Sequence, residues 1–179
     1  MGASTAQDMR ATYRGAMSRF TTGVTIITTR TPDGPAGMTA SAVASVSLDP
    51  LMLLVCVGNT LATRNAISES GVFAVSVLSR SQEQHALRFA SRCEDKFAGL
   101  GLRTDHDLPV LEGAVAHFAC NVKEEFAGGD HTIFVGQVVS CGYAVDSDPL
   151  VYFGGKFGSL CDLSSHAQLA FEWQLAASM

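Results

Sequence analysis

The sequence predicts a mainly β fold, an antiparallel barrel with flanking helices, formed by a single domain. Segments rich in β-branched residues follow one another through short turn signals, whereas only three segments show helical spacing. A succession of six or more hairpin-connected strands leaves exposed edges unless the sheet closes on itself, which favours a closed barrel. The length of 179 residues suits one such domain.

The first part of the chain opens with a helix and continues with a hairpin. Apolar residues at helical spacing predict an amphipathic helix over residues 7–20. The β-branched segment 24–29 predicts a strand, and Pro32-Asp33-Gly34-Pro35 predicts a turn before a second strand that begins near Ala36. We therefore expect these two strands to pair.

The middle of the chain alternates strands with short helices. The apolar segment 51–57 predicts a buried strand, and Thr60 is expected to cap a short helix that follows it. The segment 72–78 predicts another strand, followed by a helix around residues 80–91 with Ala86 and Phe89 on its buried side.

The last part of the pattern is a loop followed by a long hairpin. Glycine, aspartate and proline make residues 92–112 the most loop-like region. The strand arms 115–126 and 133–143 follow, joined through Gly128-Gly129-Asp130-His131. This hairpin completes the predicted barrel.

Composition excludes several classes of function. A net charge of −5 leaves no basic stripe for a nucleic-acid backbone. The longest apolar run, residues 51–57, is far shorter than the ~20 residues that cross a bilayer, and the N-terminal residues lack the apolar core of a signal peptide. We therefore expect a cytoplasmic protein. Apolar residues make up 47% of the chain and charged residues only 16%, an excess that a homodimer interface would cover.

The five cysteines and five histidines show no metal-ligand spacing. Neither a CxxC pair nor an HExxH motif occurs, and the number of cysteines is odd. We interpret the cysteines as small buried side chains in a reducing compartment, and we expect no metal site.

Hydroxyl side chains alternate with small apolar residues in the segment 37–47. Hydroxyl and backbone N–H groups bind phosphate, and the predicted helix start at residues 59–63 adds a partial positive charge. The pattern also fits an ordinary barrel strand with a solvated polar face, so this segment alone leaves both interpretations open. Four hydroxyl side chains are expected to share one strand face, beside small neighbours that leave room for a flat ligand: Thr39, Ser41, Ser45 and Ser47.

Two further features are suited to ligand binding. Gly128-Gly129-Asp130-His131 is typical of a glycine turn, and its imidazole can also donate to a carboxamide or phosphate oxygen, so both interpretations hold together. Lys96-Phe97 and Lys156-Phe157 each pair a cation with an aromatic ring, a combination that suits a pyrophosphate and a planar ring. Arg88-Phe89 is similar, although a helix with one buried and one solvated face explains it equally well.

Several segments jointly resemble the short-chain flavin reductase family, the reductase components of two-component flavin-dependent monooxygenases. They follow the family's order and cover roughly residues 10–160, which we take as the core of the domain, with 161–179 as a C-terminal tail. The matching segments are Phe20 to Thr29, Gly37 to Ser41, Ser45 to Leu51, Asp95 to Gly99, Gly129 to Gly136 and Pro149 to Phe153.

The resemblance implies an FMN-binding split β-barrel of antiparallel, Greek-key type, in a homodimer with the flavin near the subunit interface. It also implies NAD(P)H:flavin oxidoreductase activity on FMN or FAD. NADH is favoured over NADPH because no arginine cluster for a 2′-phosphate is evident. Reduced flavin would then diffuse to a partner monooxygenase.

The resemblance also assigns cofactors to residues. Segments 39–41 and 45–47 match flavin-contacting positions, the helix start at 59–63 matches the phosphate site, and His131 matches the histidine associated with the nicotinamide. We expect His131 to position the nicotinamide and no residue to act as catalytic acid or base, because hydride transfer belongs to the cofactors. The predicted cofactor-binding residues are Gly37, Met38, Thr39, Ala40, Ser41, Ser45, Val46, Ser47, Cys56, Val57, Asn59, Thr60, Thr63, Phe89, Lys96, Phe97, Asp130, His131, Tyr152, Lys156 and Phe157.

Two departures from the family pattern leave the choice between FMN and FAD open. Leu51 follows Asp49-Pro50 where family members often have a second proline, and Ser41 stands where many have asparagine or another hydroxyl residue. Two alternative functions also stay open: a non-catalytic FMN-binding or electron-transfer protein, and an oxidase of the same barrel that keeps its flavin bound. The Gly-Asp-His turn argues against the oxidase.

Overall fold

The structure is a computed structural model that describes residues 5–93 and 95–160. Strands dominate this part of the chain, as predicted, and three α-helices accompany them. The predicted tail, residues 161–179, lies outside the described residues. The helices are α1 (Ala6–Met17), α2 (Ala62–Ser70) and α3 (Glu83–Ala90), the last preceded by a 3-10 turn at Arg80–Gln82. The strands are β1 (Thr22–Gly23), β2 (Thr25–Thr31), β3 (Gly34–Ala40), β4 (Val43–Leu48), β5 (Leu51–Gly58), β6 (Val72–Val77), β7 (Leu102–Asp105), β8 (Leu108–Leu111), β9 (Ala116–Gly128), β10 (His131–Tyr143), β11 (Val151–Phe153) and β12 (Lys156–Gly158).

Seven strands form one antiparallel sheet in the order β3-β2-β6-β9-β10-β5-β4. The edge strands β3 and β4 follow each other in the chain through only Ser41 and Ala42, which we call the β3–β4 corner. Within the described residues no ladder joins the two edges, so the prediction of a closed barrel is wrong. β3 pairs with β2 and β4 pairs with β5, and within the described residues neither has a strand partner on its other side. Because the linker is so short, the sheet curls until its edges meet at this corner.

Both predicted hairpins are present, with turns of two residues. β2 and β3 are joined by Pro32-Asp33, and β9 and β10 by Gly129-Asp130. Gly129 has a φ of 71°, a conformation that glycine adopts freely at the first position of such a turn. Gly128 pairs with His131 across the ladder, so His131 is the first residue of β10 rather than part of the loop.

The region predicted to be loop-like, residues 92–112, contains the hairpin of β7 and β8. Its turn residues His106 and Asp107 have φ values of 48° and 59°. Aspartate and histidine are among the non-glycine residues that tolerate this conformation, so the turn carries no glycine to mark it in the sequence.

The β7–β8 hairpin is fastened to the main sheet by polar contacts. Thr28 Oγ1 of β2 donates to the carbonyl oxygen of Pro109 in β8. Asp105 Oδ2 accepts from Ser140 Oγ at 2.9 Å and lies 3.2 Å from His117 Nε2. The two side chains of this His–Asp pair are both largely buried.

The described helices lie close to their predicted positions, with one difference. α1 begins with a capping box, in which Thr5 Oγ1 accepts from the Asp8 N–H and Asp8 accepts from the Thr5 N–H. The N-cap of α2 is Leu61, which offers no side-chain acceptor, so the prediction that Thr60 caps this helix is wrong. None of the described helices is both long and apolar enough to cross a membrane.

Alternating side chains of β2 enter two clusters of the core, on opposite faces of the sheet. Ile27 lies with Phe73 and Phe134 in one cluster, and Ile26 lies with Phe89 of α3 in the other. All are essentially inaccessible to water, and burying each such side chain stabilises the fold by about 1.5–3 kcal/mol. Ala86 and Phe89 are buried as predicted, which holds α3 against the sheet.

Candidate functional site

A groove of about 720 Å³ lies between β3, the start of α2 and the segment that follows α3. We call it the β3 groove. Three stretches that are distant in the sequence line it, because α3 packs across β3 near the start of α2. It brings together seven of the predicted cofactor-binding residues: Gly37, Met38, Thr39, Thr63, Phe89, Lys96 and Phe97.

Two aromatic rings pack over Gly37 in the wall of the groove. Phe89 and Phe97 meet edge to face, with their ring centroids 4.9 Å apart. A Cβ atom on Gly37 would lie 2.9 Å from Phe89 Cε1, 3.1 Å from Phe97 Cζ and 3.0 Å from the Ile27 carbonyl oxygen. Glycine is therefore required here for the close approach of the aromatic pair to β3.

Lys96 crosses the groove to β3. Its ammonium group donates to the Phe89 carbonyl oxygen at 2.9 Å and to the Gly37 carbonyl oxygen at 3.4 Å. Partial burial lowers the pKa of Lys96, and the neighbouring Cys93 acts in the opposite direction. Because Phe89 lies in the last turn of α3, the cation also sits at the negative end of that helix. Arg92 is a second cationic side chain in the lining.

The start of α2 presents polar groups to the groove. Since Leu61 provides no side-chain cap, the first backbone N–H groups of α2 are not satisfied by a capping side chain. Thr63, in the same turn, is only 5% exposed and lines the groove. A helix start with this partial positive charge is suited to an anion.

The Gly-Asp-His turn lies close to one lining residue of the groove. A Cβ atom on Gly58 would lie 3.9 Å from His131 Nε2 and 3.5 Å from Leu61 Cδ1. Leu61 lines the groove, whereas His131 lies beside Gly58 and is not part of the lining. About half of the His131 side chain is exposed.

Asp130 determines which hydrogen bonds the imidazole can offer. Its Oδ1 atom lies 2.7 Å from His131 Nδ1, and this hydrogen bond lowers the pKa of Asp130, an exposed carboxyl group. A carboxylate can only accept, so Nδ1 carries the proton and Nε2 of the neutral ring is an acceptor. The predicted donation from His131 to a ligand oxygen therefore requires the protonated imidazole.

Asn59 connects the end of β5 to the turn that carries His131. Its backbone N–H donates to the Asp130 carbonyl oxygen at 3.0 Å, and its Nδ2 donates to the Gly129 carbonyl oxygen at 3.2 Å. Its Oδ1 accepts from Thr132 Oγ1 at 2.8 Å. Asn59 is predicted from the sequence to belong to a phosphate site. In the structure its side-chain amide is hydrogen-bonded to the Gly129 carbonyl oxygen of the turn. Thr60, next to it, is exposed.

Two residues of this network have no predicted role. Arg64 Nε donates to Thr132 Oγ1 at 3.1 Å, which links α2 to β10. Thr132 belongs to the Gly-Asp-His-Thr segment that carries the resemblance, and that is its only sequence signal. Arg64 appears in the sequence simply as a polar position of a short helix.

The hydroxyl groups of segment 37–47 do not share one face, and that prediction is wrong. Thr39 Oγ1 donates to the Ala86 carbonyl oxygen at 2.6 Å, and Ser41 lies in the β3–β4 corner. A β-bulge between Ser45 and Ser47 places them opposite Leu53 and Met52, which point to opposite faces of β5. The bulged residue is Val46, whose side chain is exposed.

Other predicted residues lie away from the β3 groove. Ser41 and Cys56 line a second, more apolar cavity of about 560 Å³ beside Met17 and Phe20. Burial raises the pKa of the Cys56 thiol. The side chains of Ala40 and Val57 are buried in the core, so only their main-chain groups are available to a ligand.

The predicted aromatic and cationic residues of the last strands form a separate unit. β1, β11 and β12 make a three-stranded sheet, in which the rings of Tyr152 and Phe157 lie 5.5 Å apart. Phe157 packs against the core cluster that contains Phe89, and Lys156 is exposed. These residues do not line the β3 groove.

Within residues 5–93 and 95–160, no group of three or more His, Cys, Asp or Glu side chains is arranged to hold a metal ion. The cysteines of this part, Cys56, Cys93, Cys120 and Cys141, are free thiols; Cys120 is buried as predicted, whereas the prediction of burial is wrong for Cys93 and Cys141, which are exposed. The fifth, Cys161, lies outside the described residues.

Comparison with known proteins identifies the family. Residues 17–160 match the family model described as a flavin reductase like domain. The chain is 42% identical over 147 residues to the FMN reductase (NADH) SmoA of Agrobacterium fabrum, and the aligned region covers 82% of this chain and 83% of SmoA. It is 38% identical over 147 residues to the flavin-dependent monooxygenase reductase subunit HsaB of Rhodococcus jostii, which covers 81% and 75% respectively.

A solved structure agrees with these matches. The NADH:FAD oxidoreductase SgcE6 of Streptomyces globisporus C-1027, in complex with NAD and FAD fragments, has a TM-score of 0.84 and 33% identity, over 92% of this chain and 99% of that chain. The family inferred from the ordered sequence segments is thus confirmed. This chain belongs to the flavin reductase-like domain family.

Proposed function

We propose that this chain is an NADH-dependent flavin reductase that reduces FMN or FAD and supplies the reduced flavin to a separate monooxygenase. The observation that carries the proposal is the β3 groove, which brings seven of the predicted cofactor-binding residues together, with His131 close to its lining residue Leu61. The names of the relatives support it: SmoA is an FMN reductase (NADH), and HsaB is the reductase subunit of a flavin-dependent monooxygenase.

The β3 groove fits a flavin nucleotide. Its volume lies within the range of about 300–1,000 Å³ that is typical of small-molecule sites. The start of α2 and the Thr63 hydroxyl are suited to a phosphate group, and Lys96 and Arg92 add positive charge. When bound, the flavin supplies the ring that accepts the hydride, and this chain's residues bind and orient it.

His131 is proposed to orient the nicotinamide. With Nδ1 bonded to Asp130, the neutral imidazole offers Nε2 as an acceptor for the carboxamide N–H group of the nicotinamide. Because hydride passes directly between the two cofactors, no side chain need act as acid or base. The predicted contacts outside the groove remain part of this proposal: Ala40, Ser41, Ser45, Val46, Ser47, Cys56, Val57, Asn59, Thr60, Asp130, Tyr152, Lys156 and Phe157.

A single assay tests the function. Purified protein is mixed with NADH and with FMN, FAD or riboflavin in turn, and the absorbance of the reduced nicotinamide is followed; NADPH is tested in parallel. Rapid oxidation of NADH with free flavin is expected. Absence of oxidation with every pair would overturn the proposal, and flavin binding without NADH consumption would instead indicate a non-catalytic FMN-binding protein.

We also propose that the chain is one flavin reductase-like domain that forms a homodimer. Every described side chain from Gln7 to Met17 is exposed, so α1 has no buried contact with the rest of the domain. A helix of 12 residues is marginal in water without tertiary contacts, and α1 carries an apolar face that a second copy would cover. Met9, Tyr13 and Met17 form this face together with Phe20, which follows the helix; we call it the α1 face, and each of these side chains is at least 49% exposed.

Two finer features belong to the same proposal. We propose that the curled, open seven-stranded sheet is the FMN-binding split barrel of this family, because its edges meet at the β3–β4 corner. We propose a cytoplasmic location, supported by the free thiols of Cys56, Cys93, Cys120 and Cys141, which suit a reducing compartment.

A further inference from the structure

We propose that Thr132 and Arg64 are positioning residues for the nicotinamide, which act through Asn59 on the turn that carries His131. The inference rests on the proposed reductase function. It assigns a role to a hydrogen-bond chain that runs from the first turn of α2 to the start of β10. Neither residue touches the reacting atoms in this assignment.

The chain of hydrogen bonds is continuous. Arg64 Nε donates to Thr132 Oγ1, and Thr132 Oγ1 donates to Asn59 Oδ1 at 2.8 Å. Asn59 Nδ2 then donates to the carbonyl oxygen of Gly129. The backbone N–H of Asn59 holds the next carbonyl oxygen, that of Asp130, at 3.0 Å.

Thr132 determines the orientation of the Asn59 amide. An asparagine side chain can turn its oxygen or its nitrogen toward a neighbour. Arg64 can only donate, so the single hydrogen of the Thr132 hydroxyl is free for Asn59 Oδ1, and with this contact the Nδ2 group is directed at the Gly129 carbonyl oxygen of the turn. Thr132 is only 5% exposed, so water does not readily replace either contact.

The network brackets His131 on both sides. The residue before it, Asp130, is held through its carbonyl oxygen, and the residue after it, Thr132, through its side chain. The ladders pair His131 with Gly58 and Gly128, and the Asn59 contacts add the polar anchor of the turn that precedes it. Small displacements of a positioning group lower the reaction rate strongly. A looser turn should therefore weaken the binding of the nicotinamide by His131.

The test replaces Thr132 with valine, which keeps the shape and removes the hydroxyl. We expect KM for NADH to rise about 3- to 10-fold, the effect of one or two hydrogen bonds, while KM for the flavin stays within about twofold. Thr28→Val is the matched control, because it also removes a buried threonine hydroxyl bond, to Pro109 at the far hairpin. Equal NADH kinetics in Thr132→Val and Thr28→Val would overturn the inference.

A double-mutant cycle separates positioning from general loss of structure. In a His131→Ala background, Thr132→Val should leave KM for NADH unchanged within about twofold, because its effect passes through the imidazole. The same fold increase in both backgrounds would overturn the inference. Thr132→Ser, which restores the hydroxyl, should return KM for NADH to the wild-type value.

Arg64 provides a second route if Thr132→Val does not fold. Its side chain is about one third exposed, so Arg64→Met should be tolerated, and it removes the donor to Thr132. It should raise KM for NADH by about 2- to 5-fold and leave flavin KM unaltered. No change would count against the inference. If the wild-type protein itself fails to oxidise NADH, the proposed function is wrong; if it is active and these variants match it, only the positioning role is wrong.

Discussion

His131 presents Nδ1 to Asp130, and its Nε2 atom lies close to Gly58. Replacing His131 with alanine should raise KM for NADH about 10-fold, since a hydrogen bond to the nicotinamide is lost, and should change flavin affinity by less than about twofold. Steady-state kinetics and a flavin titration measure the two effects separately. Unaltered NADH kinetics in this variant would show that the imidazole does not contact the nicotinamide.

Gly37 leaves no room in the groove wall for a larger side chain. A methyl group there meets Phe89, Phe97 and the Ile27 carbonyl oxygen, and the last is backbone that cannot swing away. Gly37→Ala should lower the free energy of unfolding by about 1–3 kcal/mol and weaken flavin binding, because the aromatic pair must move into the groove.

Urea denaturation and a flavin titration check this prediction. Gly158→Ala is the control, since a Cβ atom at Gly158 meets nothing within 4 Å. Similar unfolding midpoints for the two variants would mean that the aromatic pair relaxes without cost.

The sequence marked some single residues that the fold brings together, although their cofactor-binding roles stay predictions. The pairing of Lys96 with Phe97, and the small residue at Gly37, marked positions that the fold brings to one groove. The sequence did not indicate the contact between Asn59 and Thr132, which lie 73 positions apart and meet only when β10 pairs with β5. A side-chain contact over such a separation leaves no period in the sequence.

At the scale of elements, the strands were predictable because β-branched residues and two-residue turns mark them. The bulge in β4 was not, since one extra residue between Ser45 and Ser47 reverses the faces without any change in residue type. The β7–β8 hairpin was missed for a related reason. Its turn uses His106 and Asp107, not glycine, in the left-handed conformation.

The attachment of the β7–β8 hairpin should depend on pH. Burial holds the pKa of His117 below its ordinary value of 6.5, with Arg103 acting in the same direction and Asp105 opposing both. When the pH falls below 6.5, His117 takes up a proton in the unfolded chain before it does so in the folded protein. The contribution of neutral His117 to the free energy of unfolding is therefore complete above pH 6.5, and it is lost as the pH falls toward the lower pKa of the folded state.

Thermal unfolding between about pH 7.5 and 5 measures this dependence. His117→Gln should show a flatter fall of Tm with acid than the wild type. His106→Asn, which removes a histidine from the same hairpin and tolerates the left-handed turn, should keep the wild-type slope. Identical slopes in all three proteins would exclude His117 as the source.

At the scale of the whole molecule, we expect the α1 face to form the interface of the proposed homodimer. Replacing both Tyr13 and Met17 with glutamate should convert a dimer to a monomer, because two charges would be buried at the interface without partners. Light scattering coupled to size exclusion gives the molar mass. Ala11→Glu, on the opposite side of the same helix, should remain dimeric. A monomeric wild-type protein would contradict the proposed homodimer.

The overall architecture was predictable up to the closure of the sheet. The two hairpins, the strands and the helix with Ala86 and Phe89 buried all followed from local patterns, and the ordered segments identified the family. Whether the first and last strands of a sheet pair is decided by its curvature and by the β3–β4 corner, which no local pattern records.

An open sheet leaves two strands free to recruit a strand from another molecule, the route to aggregation and fibrils. Both edges are protected. Thr31 and Gly34 flank a two-residue turn, so the next pair, Arg30 and Pro35, directs its backbone outward, where proline has no N–H to donate. On the other edge, the bulge at Val46 interrupts the flat array of donors and acceptors. The protein therefore keeps its open, ligand-accessible sheet without exposing a template for strand addition.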